Sequence, residues 1–147
     1  HRGLGRAAVP ACRRRMRSAI ARALIFAAAS LAVTLAIDLV LSLAYPQRLP
    51  QGGLRHFVAF RTALHGATFT LSALGAALGF ALPGGPPISL AHAAMLGSGF
   101  GAFALAATLT GVRLGGFAVI AIALVIGAAG VTYFGAKAIA MASDDER

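Results

Sequence analysis

The sequence predicts an all-α, multi-pass membrane protein with four transmembrane helices in an up-down-up-down bundle. Of its 147 residues, 59% are hydrophobic and only 12% are charged, and that charged fraction is about half that of an ordinary soluble domain. Apolar runs of about 25 residues recur along the chain, and each is long enough to cross roughly 30 Å of hydrocarbon. Short segments rich in proline and glycine separate these runs, as expected of turns between helices.

The first predicted helix covers residues 20–44 and follows a basic N-terminal arm, residues 1–19. Only Arg22, near its start, and Asp38, near its end, carry charge within the run. The helix is expected to end before residues 45–53, because the two prolines and two adjacent glycines of that segment do not suit a helix interior.

The other three helices are predicted at residues 57–82, 88–112 and 117–142. A turn at residues 83–87, with the sequence Pro-Gly-Gly-Pro-Pro, separates the second helix from the third. Another glycine-containing turn, at residues 111–116, separates the third from the fourth. An acidic C-terminal tail, residues 143–147, follows. Four spans with three short connections are typical of an antiparallel helical bundle.

The basic arm admits other interpretations. Residues 13–17 resemble the basic region of a cleaved signal peptide, with Thr34-Leu35-Ala36 as the cleavage tripeptide, although the apolar run is longer than such peptides need. The arm is also typical of an organelle transit peptide, since it is rich in arginine and has no acid. Met16 as the true start is a further possibility.

The distribution of basic residues predicts that both termini are cytoplasmic. Seven arginines precede or begin the first helix, and Lys137 and Arg147 join them on that side. The opposite side has four, which are Arg48, Arg55, Arg61 and Arg113. Because cytoplasmic loops carry the excess of Lys and Arg, we expect a bacterial inner membrane location with this orientation. An organelle membrane is the alternative.

Polar side chains follow one face of each of the first two helices. The second helix carries them at steps of three and four residues, as Arg61, His65, Thr68 and Ser72, followed by Gly75 and Gly79. The first helix carries Ser30, Thr34, Asp38 and Ser42, each four residues apart. These spacings place each set on one helix face. Such a face is expected to point away from lipid, either as a buried packing seam or as a path for a substrate or ion.

Asp38 and Arg61 are predicted to form an intramembrane polar pair. Both lie roughly 8 to 10 Å from the same membrane surface, at 1.5 Å of helix per residue. A carboxylate at that depth needs a partner to stay ionised, and Arg61 is the nearest candidate. His65 lies one turn deeper on the same face and could share a proton with Asp38.

Small residues at helical spacing predict where the helices pack closely. The pairs are Gly75 and Gly79 on the second helix, Gly97 and Gly101 on the third, and Gly127 and Gly135 on the fourth. Glycine at a helix interface lets two backbones approach each other. The pattern does not decide whether these interfaces lie within one chain or between chains.

Catalysis, metal binding and a cofactor are not predicted. Cys12 is the only cysteine, and Asp38 is the only acidic side chain between His1 and Ser143, so two-carboxylate chemistry within one chain is excluded. Axial ligation of a haem by His65 and His92 conflicts with their predicted depths, which differ by about 19 Å. A haem held between two chains stays an alternative.

The sequence therefore favours a non-catalytic subunit or helix-packing module of a membrane complex. The alternative is a homo-oligomeric transporter or ion-conducting module that uses the polar faces of the first two helices. The expected partners are the lipid bilayer, further copies or other membrane subunits, and anionic lipid at the basic arm. Nucleic acid is not expected, because no aromatic residue interleaves the arginines.

Overall fold

In the computed structural model, residues 8–44, 54–114 and 116–145 are described. This part of the chain holds four helices and no strand, with α1 at Ala8–Ala44, α2 at Leu54–Ala81, α3 at Leu90–Arg113 and α4 at Phe117–Asp145. The all-α class with four helices is thus confirmed there. By length and composition each helix can cross a membrane, over Arg17–Ala44, Val58–Ala81, Leu90–Gly111 and Phe117–Asp145.

Helix α1 begins twelve residues before the predicted start at residue 20 and includes 37 residues. Its first part is rich in alanine and arginine, which favour helix. Pro10 lies in the first turn, where the missing N–H of proline costs no hydrogen bond. More than half of the predicted basic arm is therefore continuous with the apolar helix, while residues 1–7 lie outside the described residues.

The connection between α2 and α3 is shaped by glycine and serine. Gly84 has a φ of 84°, a backbone conformation that glycine adopts without steric cost. Ser89 precedes α3, and its Oγ accepts a hydrogen bond from the backbone N–H of His92 at 3.2 Å. This is the N-cap bond that satisfies a donor in the first turn of a helix. The observed start at Leu90 is therefore two residues later than predicted.

Each helix packs mainly against two others. Helix α1 contacts α2 and α3, and α4 also contacts α2 and α3, so α1 lies diagonally from α4 and α2 from α3. Asp38 and Ser42 of α1 contact His65 and Arg61 of α2 in reverse order, which makes these two helices antiparallel. The same reasoning makes α3 and α4 antiparallel, because Gly111 lies against Ile120 and Gly135 against Leu96.

The parallel pairs α1 with α3 and α2 with α4 are brought together by glycine. Phe26 lies against Gly97 and Ser30 against Gly101, so α1 and α3 run in the same direction. Because consecutive helices alternate in direction, the ends of α1 and α3 and the starts of α2 and α4 share one end of the bundle. We call this the α1–α2 end.

The centre of the bundle is apolar and small-residue-rich. Phe26 and Leu124 are fully buried, and the Phe26 ring packs against Phe100 with 5.4 Å between centroids. The outer surface is apolar as well, with Leu39, Val40 and Phe134 more than half exposed. Such an exterior is unlike that of a soluble bundle, whose outer faces are charged or polar.

Candidate functional site

Three ionisable side chains meet between α1 and α2, and we call them the polar triad. Asp38 of α1 forms an ion pair with Arg61 of α2, through Oδ1 and Nη2. The other carboxylate oxygen, Oδ2, lies 3.3 Å from Nε2 of His65. The structure thus brings together the three residues that the sequence singled out, with one partner on each oxygen of Asp38.

Ser42 forms a second contact between α1 and the guanidinium of Arg61. Its Oγ donates to the backbone carbonyl of Asp38 at 2.7 Å and accepts from Nη1 of Arg61 at 3.0 Å. The guanidinium therefore bonds the side chains of two residues one turn apart on α1. This arrangement uses the planar fork of arginine, which a lysine ammonium cannot reproduce.

The polar triad lies near the α1–α2 end and is partly accessible. Asp38 precedes the end of α1 by six residues and Arg61 follows the start of α2 by seven, which places both about 9 to 10 Å inside the helix ends. The side chains of Asp38 and His65 are 14% and 16% exposed, and that of Arg61 is 31% exposed. The carboxylate is thus more enclosed than the guanidinium that neutralises it.

A small pocket lies on the inner side of the polar triad. It has a volume of about 40 Å³ and is enclosed by α1, α2 and α3, with hydroxyl groups from Thr34, Thr68 and Thr108 beside Asp38 and His65. Each threonine Oγ1 donates to the carbonyl four residues earlier in its own helix. The hydroxyl protons are thus used within the helices. The pocket has room for one or two water molecules.

The polar faces of α1 and α2 are tightly packed beyond this pocket. Thr34 also donates to the Gly101 carbonyl of α3 at 3.1 Å. Ser30 and Ser72 are buried one turn deeper along each face. Among the described residues, the Ser72 hydroxyl is buried without a hydrogen-bond partner. The polar face below Thr34 and Thr68 is therefore part of the packed core.

A larger groove lies on the outer side of the polar triad, between α1 and α2. It has a volume of about 540 Å³ and opens to the surface of the bundle. Its lining includes Leu31, Leu35, Val58 and Gly66, together with the three residues of the polar triad and Thr62. We call it the α1–α2 groove. It was not anticipated from the sequence, because neither polar stripe includes its leucines.

The predicted glycine pairs all lie at interfaces within the chain. A Cβ on Gly75 or Gly79 would collide with backbone atoms of Val125 or Ala129 on α4. One on Gly97 would collide with the Phe26 backbone, and one on Gly101 would lie 2.8 Å from the Ser30 carbonyl.

The two predicted glycines of α4 pack against side chains of α3. A Cβ on Gly127 would lie 2.9 Å from the Phe103 ring, and one on Gly135 would lie 2.7 Å from Leu96. A Cβ at either position would require the facing side chain to shift, which is a weaker constraint than a contact with backbone. All six glycines therefore serve packing within one chain, which the sequence had left undecided.

The histidine of α3, His92, lies far from the polar triad. His92 is in the first turn of α3, with its Nδ1 3.0 Å from Ser89 Oγ. Thr108, which lines the triad pocket, is sixteen residues further along the same helix, or about 24 Å away. No group of three His, Cys, Asp or Glu side chains that could hold a metal occurs among the described residues.

Thr108 is the site residue that the sequence analysis missed. It is buried and lines the inner pocket. The sequence spacing could have identified Thr108, because residues 97, 101, 104 and 108 follow one another at steps of four, three and four. Extending the small-residue stripe of Gly97 and Gly101 by two turns therefore leads to Thr108 on the same face.

In comparisons with known proteins, no protein family, no curated protein and no solved structure matches this chain.

Proposed function

We propose that this chain is a small integral membrane protein that serves as a non-catalytic subunit, or helix-packing module, of a membrane complex. The observation that carries the proposal is that the polar faces of α1 and α2 are used in packing below the polar triad. Thr34 bonds the α3 backbone there, and Ser30 and Ser72 are buried. A packed polar seam is what a structural helical module needs.

The apolar exterior supports a location in the bilayer. Each helix has a segment long and apolar enough to span a membrane, and large aliphatic and aromatic side chains are exposed along α1, α3 and α4. In water, a continuous apolar surface would favour aggregation, whereas lipid solvates it. We place both termini on the cytoplasmic side, in the bacterial inner membrane or, alternatively, an organelle membrane, because the basic residues are divided nine to four.

The chemistry of the polar triad supports a structural role over a catalytic one. Both oxygens of Asp38 already face a basic partner, Arg61 on one and His65 on the other. A carboxylate held in this way joins two helices. General acid-base catalysis needs a group that is positioned to exchange its proton with a substrate.

Copurification tests this function. Extraction in a mild detergent is expected to recover the chain with a second membrane polypeptide, or further copies of itself, at a fixed stoichiometry by native mass spectrometry. Vesicles reconstituted with the purified chain are expected to show no more ion flux than empty vesicles. A monomer without partners in native membranes, shown by in situ cross-linking, would contradict the proposal.

One observation favours the second candidate, an ion-conducting or proton-coupled module. The inner pocket is lined by three threonines together with Asp38 and His65, and polar side chains of this kind can bind the water molecules of a proton relay. A pH-dependent, uncoupler-sensitive flux in reconstituted vesicles would establish this function, provided that Asp38→Asn and His65→Ala each abolish the flux in a folded protein.

A further inference from the structure

The α1–α2 groove combines an apolar wall with a charged rim. On α1 the lining runs from Leu31 and Leu35 to Asp38, which lies nearest the helix end. On α2, Arg61 lies about one turn inside Val58, which is closer to the helix start. A second groove of about 420 Å³, between α3 and α4, is lined by residues such as Met95 and Phe103 and includes no ionisable side chain. Of these two outer grooves, the α1–α2 groove is the one that offers a binding site for a charged group.

The charge at this end of the bundle is positive. Arg55 is in the first turn of α2, Arg113 ends α3, and Arg48 lies between α1 and α2 in the sequence. The single acid here, Asp38, is already neutralised by Arg61. The sequence between His1 and Ser143 contains no second acid to balance the arginines of this end. An anion complements this surface.

The groove is short enough to lie within the depth of one lipid leaflet. From Asp38 at the rim to Leu31 on the wall is seven residues of α1, or about 10 Å along the axis. Half of the bilayer hydrocarbon is about 15 Å thick. A guanidinium carries five N–H groups in a planar fork, so one arginine can bond a carboxylate and a phosphate together.

We propose that the α1–α2 groove binds an anionic phospholipid from the leaflet at the α1–α2 end. Its phosphate lies at Arg61 and His65, and an acyl chain runs along Leu31 and Leu35 past the open side of Gly66. Asp38 and Ser42 hold the guanidinium at the rim. The site is distinct from the basic arm, whose residues 8–19 begin α1 at the opposite end of the bundle. The proposal rests on the membrane location given under the proposed function, but not on the role as a subunit.

Gly66 provides a test that leaves the polar triad intact. No atom lies within 4 Å of a Cβ built on Gly66, so Gly66→Leu fills the groove without disturbing the helices. Gly99 is equally open and lines the α3–α4 groove. Gly99→Leu is therefore a matched control, with the same substitution in a groove that has no charged rim.

The measurement is lipid retention by native mass spectrometry of the purified chain, titrated with phosphatidylglycerol or phosphatidylcholine. We expect the wild type to retain one phosphatidylglycerol with about tenfold preference over phosphatidylcholine, because the basic side chains of the groove attract an anionic headgroup. Gly66→Leu is expected to lose this bound lipid, and Gly99→Leu to keep it.

A second variant tests the headgroup contact. Asp38→Asn combined with Arg61→Gln removes both charges, so that no unpaired ion remains. This variant is expected to melt cooperatively and to bind the two lipids equally. The proposal is wrong if Gly66→Leu retains phosphatidylglycerol like the wild type, or if the wild type binds both lipids equally. It is also wrong if Gly66→Leu converts a dimer into a monomer, since a second copy would then occupy the groove.

Discussion

The carboxylate of Asp38 joins α1 to α2 by pairing with Arg61, a residue 23 positions later in the chain. The pair lies at the edge of the bundle rather than in its centre, with the guanidinium 31% exposed. An ion pair in this position has a smaller desolvation cost than one at the centre of a membrane domain. It can therefore stabilise the α1–α2 contact and still face a groove at the surface.

Removing one member of this pair is expected to destabilise the fold more than removing both members. Asp38→Ala leaves the Arg61 charge without its carboxylate partner, whereas Asp38→Ala with Arg61→Ala leaves neither charge. Because Arg61 is partly exposed, we expect a coupling free energy of only about 1 kcal/mol. Thermal or denaturant unfolding of the single and double variants in detergent measures it. Coupling below about 0.5 kcal/mol would contradict the pairing.

The close helix contacts predict a contrast among the glycines. Gly97→Ala places a methyl group against the Phe26 backbone, which cannot move without separating α1 from α3. We expect it to destabilise the fold by about 1–3 kcal/mol. Gly130→Ala is the control, since nothing lies within 4 Å of its Cβ, and alanine favours helix. Equal melting temperatures for both variants would show that the α1–α3 contact is less close than described.

The length of the apolar runs and the Pro/Gly segments between them were sufficient to predict four helices. The polar triad followed from the helical repeat, which places polar residues on one face, and from the residue count, which gives Asp38 and Arg61 similar depth. Sequence periodicity could not give the order of helices around the bundle. Helices α2 and α3 are consecutive but diagonal, because Gly97 fits against α1 and Gly75 against α4. Which glycine meets which backbone depends on three-dimensional shape, and a repeat in one helix does not encode its partner.

The α1–α2 groove was unpredictable for a related reason. A groove forms where the side chains of two packed helices leave a volume unfilled. Leu31, Leu35 and Gly66 belong to neither polar stripe, and only the packing of α1 on α2 places them around one space. The sequence pattern shows which residues avoid lipid, but it contains no signal for an unfilled volume between apolar side chains.

Removing either of two buried hydroxyls is expected to have different effects on the stability of the fold. Thr34 donates to the Gly101 carbonyl across the α1–α3 interface, so Thr34→Val, which keeps the side-chain shape, should cost about 0.5–1.5 kcal/mol. The Ser72 hydroxyl is buried with no partner among the described residues, so Ser72→Ala should be neutral or stabilising. Unfolding free energies in detergent provide the comparison. A larger loss for Ser72→Ala would mean that its hydroxyl has a partner.

The alternating helix directions, together with the distribution of basic residues, predict which positions are accessible from each side of the membrane. In a Cys12→Ser background, cysteines at Leu114 and Gln51 should react with an impermeant thiol reagent from outside intact cells or spheroplasts. Leu114 is largely exposed beside the end of α3, and Gln51 lies between α1 and α2, outside the described residues. A cysteine at Ser143, near the end of α4, should react only after permeabilisation.

Labelling at these three positions tests the four-span fold and the membrane orientation independently. Because α1 and α3 end on the same side, Leu114 and Gln51 must react alike if all four helices span the membrane, whichever way the protein is inserted. Ser143 must then react oppositely. Labelling of Ser143 alone in intact cells would preserve the four-span fold and reverse the predicted orientation. Different accessibility of Leu114 and Gln51 would contradict the four spans, because an antiparallel bundle of spanning helices places both connections at one membrane surface.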